Sequence, residues 1–256
     1  METSSFLHGT NLSSSFGAIA AEYEAARPTY PDALFDAIEE LSGRPLRGAR
    51  VLDVGAGTGI ATRLLRARGA EVVAVEPTPG MAAQLRVGAP DLPLVRADGN
   101  ALPFAAGVAD LVTYAQAFHW TTPEKSVPEA RRVLRSGGAL ALFWNVKDRT
   151  QGWPQAQERR MIAACDQYHG YGGVNEGAPR LAELGLSVRK AVLRWSRRIS
   201  VDHAVADLGS RSYLAVLEPG YRAEVLAAER EALLAEFPDG VVVEDYDLDL
   251  TVGLNL

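Results

Sequence analysis

Apolar residues along the chain follow two periods, and the two periods alternate. Short apolar runs of the strand type lie at 50–54, 71–75, 92–96, 109–114 and 139–144. Segments with helical spacing of apolar side chains separate them, at 60–68, 79–87 and 124–134. Apolar strands that alternate with helices are typical of a parallel β-sheet covered by helices on both faces. The sequence therefore predicts an α/β fold.

The two ends of the chain differ from this central region. The first fifteen residues are polar and predict a flexible tail. Further helices are predicted at 16–26, 31–41, 153–168, 201–208 and 221–237, and further strands at 187–200 and 241–252. A glycine-rich loop is predicted at 171–178. We expect the late strands to extend the sheet and the late helices to form a lid.

Charge and cysteine content narrow the classes of partner. The formal net charge of −6 disfavours nucleic acid, which normally requires a basic face. Cys165 is the single cysteine, so neither an intrachain disulfide nor a cysteine zinc cluster is possible. The four histidines lack metal-ligand spacing, and no metal is expected. No apolar run is long enough to span a bilayer. We expect a cytoplasmic protein with a small-molecule partner, and its oligomeric state is left open.

The most informative segment is VLDVGAGTG at Val51–Gly59, where an apolar strand ends in a glycine turn and a helix begins. Glycines permit positive φ and let a ligand approach the main chain closely. The amides at the start of the helix can bind a carboxylate or a phosphate. The pattern therefore predicts a cofactor site without naming the cofactor.

Spacing narrows the choice of cofactor. The glycines are spaced GxGxG, and Ile60 stands where the third glycine of the dinucleotide fingerprint GxGxxG would be. Glu76 ends the second strand, where a carboxylate can accept hydrogen bonds from both hydroxyls of a ribose. A nicotinamide cofactor also contains a ribose with both hydroxyls, so Glu76 alone does not identify the cofactor.

The glycine segment resembles motif I of the class I methyltransferases that depend on S-adenosylmethionine (SAM). Further segments resemble the broad UbiE and trans-aconitate methyltransferase-like group: FGAIAAEYEAARPTYP, VVAVEPTPGM, RADGNALPF, ADLVTYAQAFHW and ARRVLRSGGALALFWN. The similarity covers residues 16–145 and is much weaker beyond Arg149, where the substrate is expected to be selected.

This resemblance implies a fold, a cofactor and a division of the chain. The fold would be Rossmann-like and doubly wound, with a mostly parallel seven-stranded sheet, an antiparallel last strand and a helical lid. The cofactor would be SAM and its product S-adenosylhomocysteine. Residues 16–145 would form the SAM-binding core with N-terminal cap helices, after the tail at 1–15. Residues 146–256 would supply the lid helices and the last strands of the same domain.

The resemblance also implies which residues contact SAM. They are Tyr23, Arg27, Asp53, Gly55, Ala56, Gly57, Gly59, Glu76, Pro77, Met81, Asp98, Gly99, Asn100, Ala101 and Gln116. The glycines would pass under the methionine part, and Glu76 would hold the ribose. Pro77 and Met81 would flank the adenine, and Asp98 would accept its amino proton. Arg27 could pair with the carboxylate of the cofactor.

Several of these residues have a simpler structural alternative. Asp53 could cap the glycine turn instead of orienting it or contacting the cofactor's ammonium group through water. Glu76 could be a solvated strand end, and Met81 ordinary core packing. Asp98 could form a plain Asp-Gly turn. Arg27 could be a surface side chain.

Methyl transfer from a sulfonium requires alignment of the nucleophile, exclusion of water and, for some acceptors, a base. Ligands of such sheets bind beyond the carboxyl ends of the strands, so Gln116–Trp120 should lie beside the methyl group. His119 is the candidate base; alternatively, it bonds a backbone carbonyl and positions Trp120. The residues expected in the substrate pocket are Tyr30, His119, Trp120, Tyr168, Tyr171 and Arg211, although a helix-capping turn also explains the last of these.

These inferences favour transfer of a methyl group to a small molecule. The oxygen of a hydroxyl or a carboxylate is the favoured acceptor, and nitrogen and carbon stay open. Two alternatives stay open at this stage. One is a SAM-binding protein without transfer activity, and the other is an NAD-dependent oxidoreductase.

Overall fold

The computed structural model describes residues 24, 26–148, 150, 152–166, 168 and 177–255. The strands are β1 (Arg50–Val54), β2 (Glu71–Val75), β3 (Leu94–Val95), β4 (Ala109–Ala115), β5 (Leu134–Lys147), β6 (Ser187–Ser200) and β7 (Val241–Asn255). The helices are α1 (Asp32–Ser42), α2 (Ile60–Ala67), α3 (Pro79–Gly88), α4 (Pro123–Val133), α5 (Gly152–Ala164), α6 (Gly177–Glu183), α7 (Val201–Gly209), α8 (Ser212–Ala215) and α9 (Pro219–Glu236). The predicted tail, Tyr23 and Tyr171 lie outside the described residues.

All seven strands form one sheet in the order β3-β2-β1-β4-β5-β7-β6. The first five are parallel, whereas β7 runs antiparallel to both β5 and β6. This confirms the predicted Rossmann-like, mostly parallel sheet with an antiparallel last strand. The order reverses direction between β1 and β4, and a crevice opens at such a switch point, beyond the carboxyl ends of the strands.

Alternate residues of β5 show how the sheet is buried on both faces. Ala139, Ala141 and Phe143 belong to one apolar cluster, which also contains side chains of α1 and α2. Leu140 and Leu142 belong to a second cluster, with side chains of α4 on the other face. Because successive side chains of a strand point to opposite faces, a continuous apolar run can contribute to both cores.

Element boundaries differ from the predicted ones where backbone chemistry intervenes. The ladder of β3 is shorter than predicted and begins at Leu94, since Pro93 has no N–H to donate. β5 begins at Leu134, five residues before the predicted strand at 139–144, and the pairing of β4 with β5 shifts register in this region. The helix predicted to reach Tyr168 ends at Ala164.

The late helices pack on one another beside the β6–β7 end of the sheet. A small core joins Trp153 of α5, Val201 of α7 and Leu233 of α9. Glu229 of α9 is almost fully buried, and its carboxylate accepts hydrogen bonds from Arg160 (2.7 and 2.8 Å) and Gln157 (2.9 Å) of α5. A buried charge needs such pairing, so this contact fixes α5 against α9.

Candidate cofactor and substrate site

A cleft of about 1070 Å³ lies at the switch point between β1 and β4. Residues of the loops after β1, β2 and β4 and of the segment before α1 form its wall. The predicted site residues in that wall are Arg27, Tyr30, Gly55, Ala56, Gly57, Glu76, Pro77, Met81, Asp98, Gly99, Gln116 and Trp120. The structure thus brings together residues that are up to 93 positions apart in the sequence.

The glycine loop is fixed to the neighbouring strand. The amides of Gly55 and Ala56 both donate to the carbonyl of Val75, at 2.8 and 3.1 Å. Gly55 has φ of +69°, and a Cβ at this position would lie 2.5 Å from the Cβ of Ala117 in the loop after β4. Only glycine permits both this backbone conformation and this approach.

The carboxylate of Glu76 is oriented by two backbone amides. Its Oε2 accepts from the amide of Gly57 at 2.8 Å, and its Oε1 accepts from the amide of Thr78 at 2.7 Å. The side chain is buried in the wall of the cleft. Glu76 is therefore held rigidly, which excludes the alternative of a solvated strand end.

Asp53 lies beneath the cleft rather than in its wall, which corrects the prediction of a contact with the cofactor. It is fully buried and accepts hydrogen bonds from the hydroxyls of Thr62 (2.6 Å) and Thr113 (2.7 Å). Burial raises its pKa to about 6; the two hydroxyls oppose this shift, and the charge of Glu76 adds to it. Asp53 ties β1 to α2 and β4, and so it can act on a ligand only through the position of the glycine loop.

Thr58 is a wall residue that the sequence analysis missed. Its side chain is buried, and its hydroxyl has no hydrogen-bond partner among the described residues. At the adjacent Gly57, a Cβ would meet no atom within 4 Å. The wall therefore offers a hydroxyl and an open approach to the main chain beside the carboxylate of Glu76. These groups fit the hydroxyls and the charged end of a nucleoside cofactor such as SAM.

The predicted residues after β3 divide between wall and support. Asp98 lines the cleft and also accepts a hydrogen bond from the amide of Asn100 at 2.9 Å. The same residue therefore occupies the predicted position in the site and forms the turn that was its structural alternative. Asn100 does not line the cleft, because its side chain accepts from the amide of Thr122 at 2.8 Å. Ala101 is exposed outside the wall. Gly59 is also outside, where a Cβ would meet the side chain of Leu85.

Gln116 has an unusual backbone. Its φ is +55°, and among the described residues it is the non-glycine residue with positive φ. Left-handed backbone costs such a residue about 1–2 kcal/mol. Its amide donates to the carbonyl of Phe143 at 2.9 Å, and it lines the cleft. Strain of this kind concentrates at functional sites, which supports the predicted importance of the loop after β4.

His119 follows in a short 3₁₀ turn, and its ring is held between two indoles. The Nε1 of Trp144 donates to the Nδ1 of His119 at 3.4 Å, and the rings of His119 and Trp120 lie 4.8 Å apart. The residue is exposed to solvent, yet desolvation by the protein around the imidazole, with a further contribution from the charge of Arg27, lowers its pKa to about 4. The ring is thus neutral near pH 7, and its proton resides on Nε2.

This arrangement differs from both predicted roles of His119. The ring bonds an indole and not a backbone carbonyl, and it stands outside the wall of the cleft. A base is most effective when its pKa lies near the working pH, so a pKa near 4 disfavours base catalysis. The neutral Nε2–H can instead donate a hydrogen bond.

The segment before α1 crosses the cleft and is fastened on both sides. Glu24 pairs with Arg63 of α2 at 2.7 Å. The carbonyl of Ala26 is within 2.9 Å of His203 Nε2 of α7, and the carbonyl of Thr29 accepts from Asn145 at 3.1 Å. Residue 24 and residues 26–30 are thus fastened on both sides of the site, and we call them the strap below.

Arg27 lies in the strap and is not a surface residue. Its Nε donates to the hydroxyl of Ser210 at 3.2 Å and lies 3.7 Å from the carboxylate of Asp207 on α7. Arg27 also lines the cofactor cleft. The alternative of an exposed arginine is wrong, and pairing with a cofactor carboxylate stays a prediction.

A second, much narrower cleft lies beyond Arg27, between α5 and the α7–α8 turn. Tyr168 and Arg211, both predicted at the substrate, line it together with Lys147, Asp207 and Tyr213. Arg211 is also the residue that precedes α8, so the predicted capping turn and the pocket position coincide. We call this the polar cleft.

Comparison with known proteins agrees with the geometry of the cleft, which fits a nucleoside cofactor. Residues 52–142 match the family model described as "Methyltransferase domain". An uncharacterised methyltransferase of Mycobacterium tuberculosis is 35% identical over 228 residues, 89% of this chain and 88% of the relative. The chain belongs to the class I SAM-dependent methyltransferases.

Other relatives of this methyltransferase are consistent with that membership. A malonyl-[acyl-carrier protein] O-methyltransferase of Methylococcus capsulatus is 37% identical over 175 residues, 65% of this chain and 60% of the relative. The solved structure of a putative type II methyltransferase from Anaeromyxobacter dehalogenans matches with a TM-score of 0.68 and 25% identity, over 90% of this chain and 98% of that one. SAM is therefore the cofactor, which decides against the nicotinamide alternative.

Two structural features bear on the partners of this methyltransferase. Within the described ranges, no cluster of three or more histidine, cysteine, aspartate or glutamate side chains is arranged to hold a metal ion. Over the same part of the chain, every helix is too short or too polar to cross a membrane.

Replacing Gly55 with alanine tests the loop contact. Gly107 is a matched control, since it has the same φ of +69° but nothing within 4 Å of a Cβ. We expect both variants to lose about 1–2 kcal/mol of stability in urea unfolding from the positive φ alone. Only Gly55→Ala should also lower SAM affinity in calorimetry, by at least about tenfold, because the loop must move away from Ala117. Equal SAM affinity of the two variants would contradict this role.

Asp53→Asn tests the buried carboxyl. Because the pKa is raised from 3.8 to about 6, the folded protein holds this proton more tightly than the unfolded chain does. The stability from Asp53 is therefore complete below pH 3.8 and is lost as the pH rises through 6. Relative to wild type, the variant should gain about 3 kcal/mol between about pH 4 and pH 7. If the free energies of unfolding of wild type and variant, measured as a function of pH, differ by a constant amount over this range, Asp53 is not desolvated as described.

Proposed function

We propose that this methyltransferase transfers the methyl group of SAM to an oxygen of a small molecule, a hydroxyl or a carboxylate. The observation that carries the proposal is the bond from Trp144 to His119, which leaves a neutral donor and no strong base at the end of β4. An acceptor that is already ionised, such as a carboxylate, needs no base. The malonyl-[acyl-carrier protein] O-methyltransferase relative supports an oxygen acceptor.

Different residues of the cleft wall would bind different parts of SAM. Glu76 would bind the ribose, because its oxygens are already oriented by two amides. The loop at 55–58 would lie under the methionine part, with Thr58 as an additional donor. Pro77, Met81 and Asp98 would surround the adenine. The predicted contacts of Tyr23 with SAM and of Tyr171 with the substrate remain part of this proposal, although both residues lie outside the described range.

When bound, SAM would supply a methyl group on a positively charged sulfur. The acceptor oxygen would form a bond to the methyl carbon as the carbon–sulfur bond breaks, S-adenosylhomocysteine would be the leaving group, and a hydroxyl acceptor would release its proton to solvent, whereas a carboxylate has none to release. The chain's own residues would align the acceptor and exclude water. Trp120 and Tyr30, which line the cleft, would shape the pocket. The His119 ring stands beside Trp120 outside this wall, and its Nε2–H would donate to a carbonyl or carboxylate oxygen of an acceptor that extends past Trp120. Gln116 would fix the position of the loop after β4, because its amide donates to the carbonyl of Phe143 on β5.

The remaining assignments of the sequence analysis are also proposals. The UbiE and trans-aconitate methyltransferase-like group is our proposed subgroup. Residues 146–256 would carry the lid on the same domain as the 16–145 core; β5 crosses this boundary and ends at Lys147. A cytoplasmic location, no affinity for nucleic acid and no stable attachment to a membrane stay predictions.

Glu76→Gln tests the function at the cofactor. The variant loses the charge that accepts hydrogen bonds, which is worth about 10- to 100-fold in affinity. We expect SAM and S-adenosylhomocysteine to bind more weakly by this factor in calorimetry, with a matching loss of S-adenosylhomocysteine formation on a panel of hydroxylated and carboxylated metabolites. Glu71→Gln, at the exposed opposite end of β2, is the control and should behave as wild type. Wild-type SAM affinity in Glu76→Gln would overturn the assignment.

His119 variants test donor against base, with an acceptor found on that panel. Gln keeps an N–H donor but does not titrate, so His119→Gln should retain kcat/KM within about tenfold, whereas His119→Phe should lose about 10- to 100-fold. Wild-type activity should not depend on His119 between about pH 5.5 and 8, since the pKa of the ring is about 4. A rise in activity with a midpoint near pH 6.5 that disappears in His119→Gln would instead establish a base.

A further inference from the structure

A network of buried charges lies at the polar cleft and directly behind its wall, and Lys147, Asp207 and Arg211 of this network line the cleft. The side chains of Arg27, Lys147, Arg197 and Arg211 are only 10–13% exposed. They surround two carboxylates that are almost fully buried, Asp207 and Glu244. Arg211 contacts Asp207 at 2.9 Å, and Arg197 bridges Glu244 at 2.6 Å and Asp207 at 3.4 Å. Lys147 pairs with Glu244 at 2.7 Å.

The positive groups dominate the local potential. Burial alone would raise the pKa of Asp207, yet Arg211, Arg27, Lys147 and Arg197 together lower it to about 2. Asp207 therefore stays ionised and holds the guanidinium groups in place. Glu158 is a further carboxylate of the cleft lining, and it is only partly buried.

Stability alone does not account for this network. Removing two opposite charges from water costs several kcal/mol per ion, and apolar side chains in place of a buried pair are often as stable or more so. Four elements (β5, β6, β7 and α7), the turn before α8 and the strap contribute to this cluster, and it opens onto a cleft. Ionic groups arranged in this way are typical of a site that recognises a charged ligand.

The polar cleft adjoins the cofactor cleft through a single side chain. Arg27 lines the cofactor cleft, while its Nε contacts Ser210 and Asp207 on the other side. Met161, Leu208 and the edge-to-face pair of Tyr168 and Tyr213 (4.8 Å) give the polar cleft apolar walls. One molecule could thus place its reacting oxygen near SAM and a charged group beyond Arg27, with an apolar chain between them.

We propose that the polar cleft binds a carboxylate of the methyl acceptor that is not itself methylated, with Arg211 and Lys147 as its recognition residues. The acceptor is then an organic acid with an apolar chain between the methylated oxygen and the recognised carboxylate. The inference rests on the proposed function and narrows its substrate class.

Binding to the complex of the protein with S-adenosylhomocysteine tests this proposal without turnover. The probes are the straight-chain dicarboxylates succinate, adipate and suberate, with diols of the same chain lengths as uncharged counterparts. The variants are Arg211→Gln and, as a control for net charge, Arg194→Gln on β6, where the side chain is 82% exposed. Calorimetry would measure each probe and S-adenosylhomocysteine itself.

We expect at least one dicarboxylate to bind wild type, its diol not to bind, and Arg211→Gln to weaken the dicarboxylate by about 10- to 100-fold. Arg194→Gln should match wild type, and S-adenosylhomocysteine affinity should be unchanged in both variants. The proposal is overturned if no dicarboxylate binds wild type, if diols bind equally well, or if the two variants behave alike. Failure of wild type to bind S-adenosylhomocysteine would instead defeat the proposed function.

A second variant keeps the test decisive if Arg211→Gln does not fold. Arg211→Lys retains the positive charge but loses the planar fork, which binds carboxylates in a bidentate manner. We expect an intermediate affinity for the dicarboxylate and a decrease with increasing salt. Affinity that is equal to that of wild type and insensitive to salt would overturn the proposal.

Discussion

The bonds between the glycine loop and β2 determine the geometry of the whole site. Parallel pairing of β1 with β2 places the carbonyl of Val75 opposite the amides of Gly55 and Ala56. One residue later, Glu76 accepts from the amide of Gly57. A single register therefore sets both the path of the loop and the position of the carboxylate. Asp53 adds the third strand, since Thr113 of β4 donates to it from the opposite side.

Much of the fold and the cofactor side of the site could be predicted from sequence because they depend on local order. Apolar period and glycine position define β1 and β2, and both strands have the predicted bounds. Glu76 follows its strand directly, so its place at the carboxyl edge follows from the strand itself. Where the structure departs from an expected contact, as at Asp53, the difference concerns the direction of a side chain within a correctly placed segment.

The substrate side could be predicted only in part, because its partners are distant in the sequence. Tyr168 and Arg211 were expected at a pocket, but nothing in the pattern links Arg27 to Asp207, 180 positions later. The indole that fixes His119 comes from β5, and the carboxylate that holds Lys147 comes from β7. The first pair requires β5 to join the sheet beside β4, and the second requires the antiparallel β7 to join it beside β5. Their formation depends on tertiary packing, which single-residue propensity does not encode.

The strap contacts both the cofactor side and the substrate side of the site. It is held by Arg63 of the cofactor helix α2 through Glu24, and by His203 of α7 through the carbonyl of Ala26. Arg27 lies between the anchors at Ala26 and Thr29, lines the cofactor cleft and pairs with Asp207 of the polar cleft. Because one guanidinium lines one cleft and pairs with a carboxylate of the other, a ligand that moves Arg27 from one side changes the potential on the other. An anion bound beside Asp207 would attract the guanidinium of Arg27 toward the polar cleft, whereas a carboxylate of the cofactor would attract it toward the cofactor cleft. Cofactor and acceptor are therefore expected to influence each other's affinity through this side chain, and linkage requires that this influence be reciprocal.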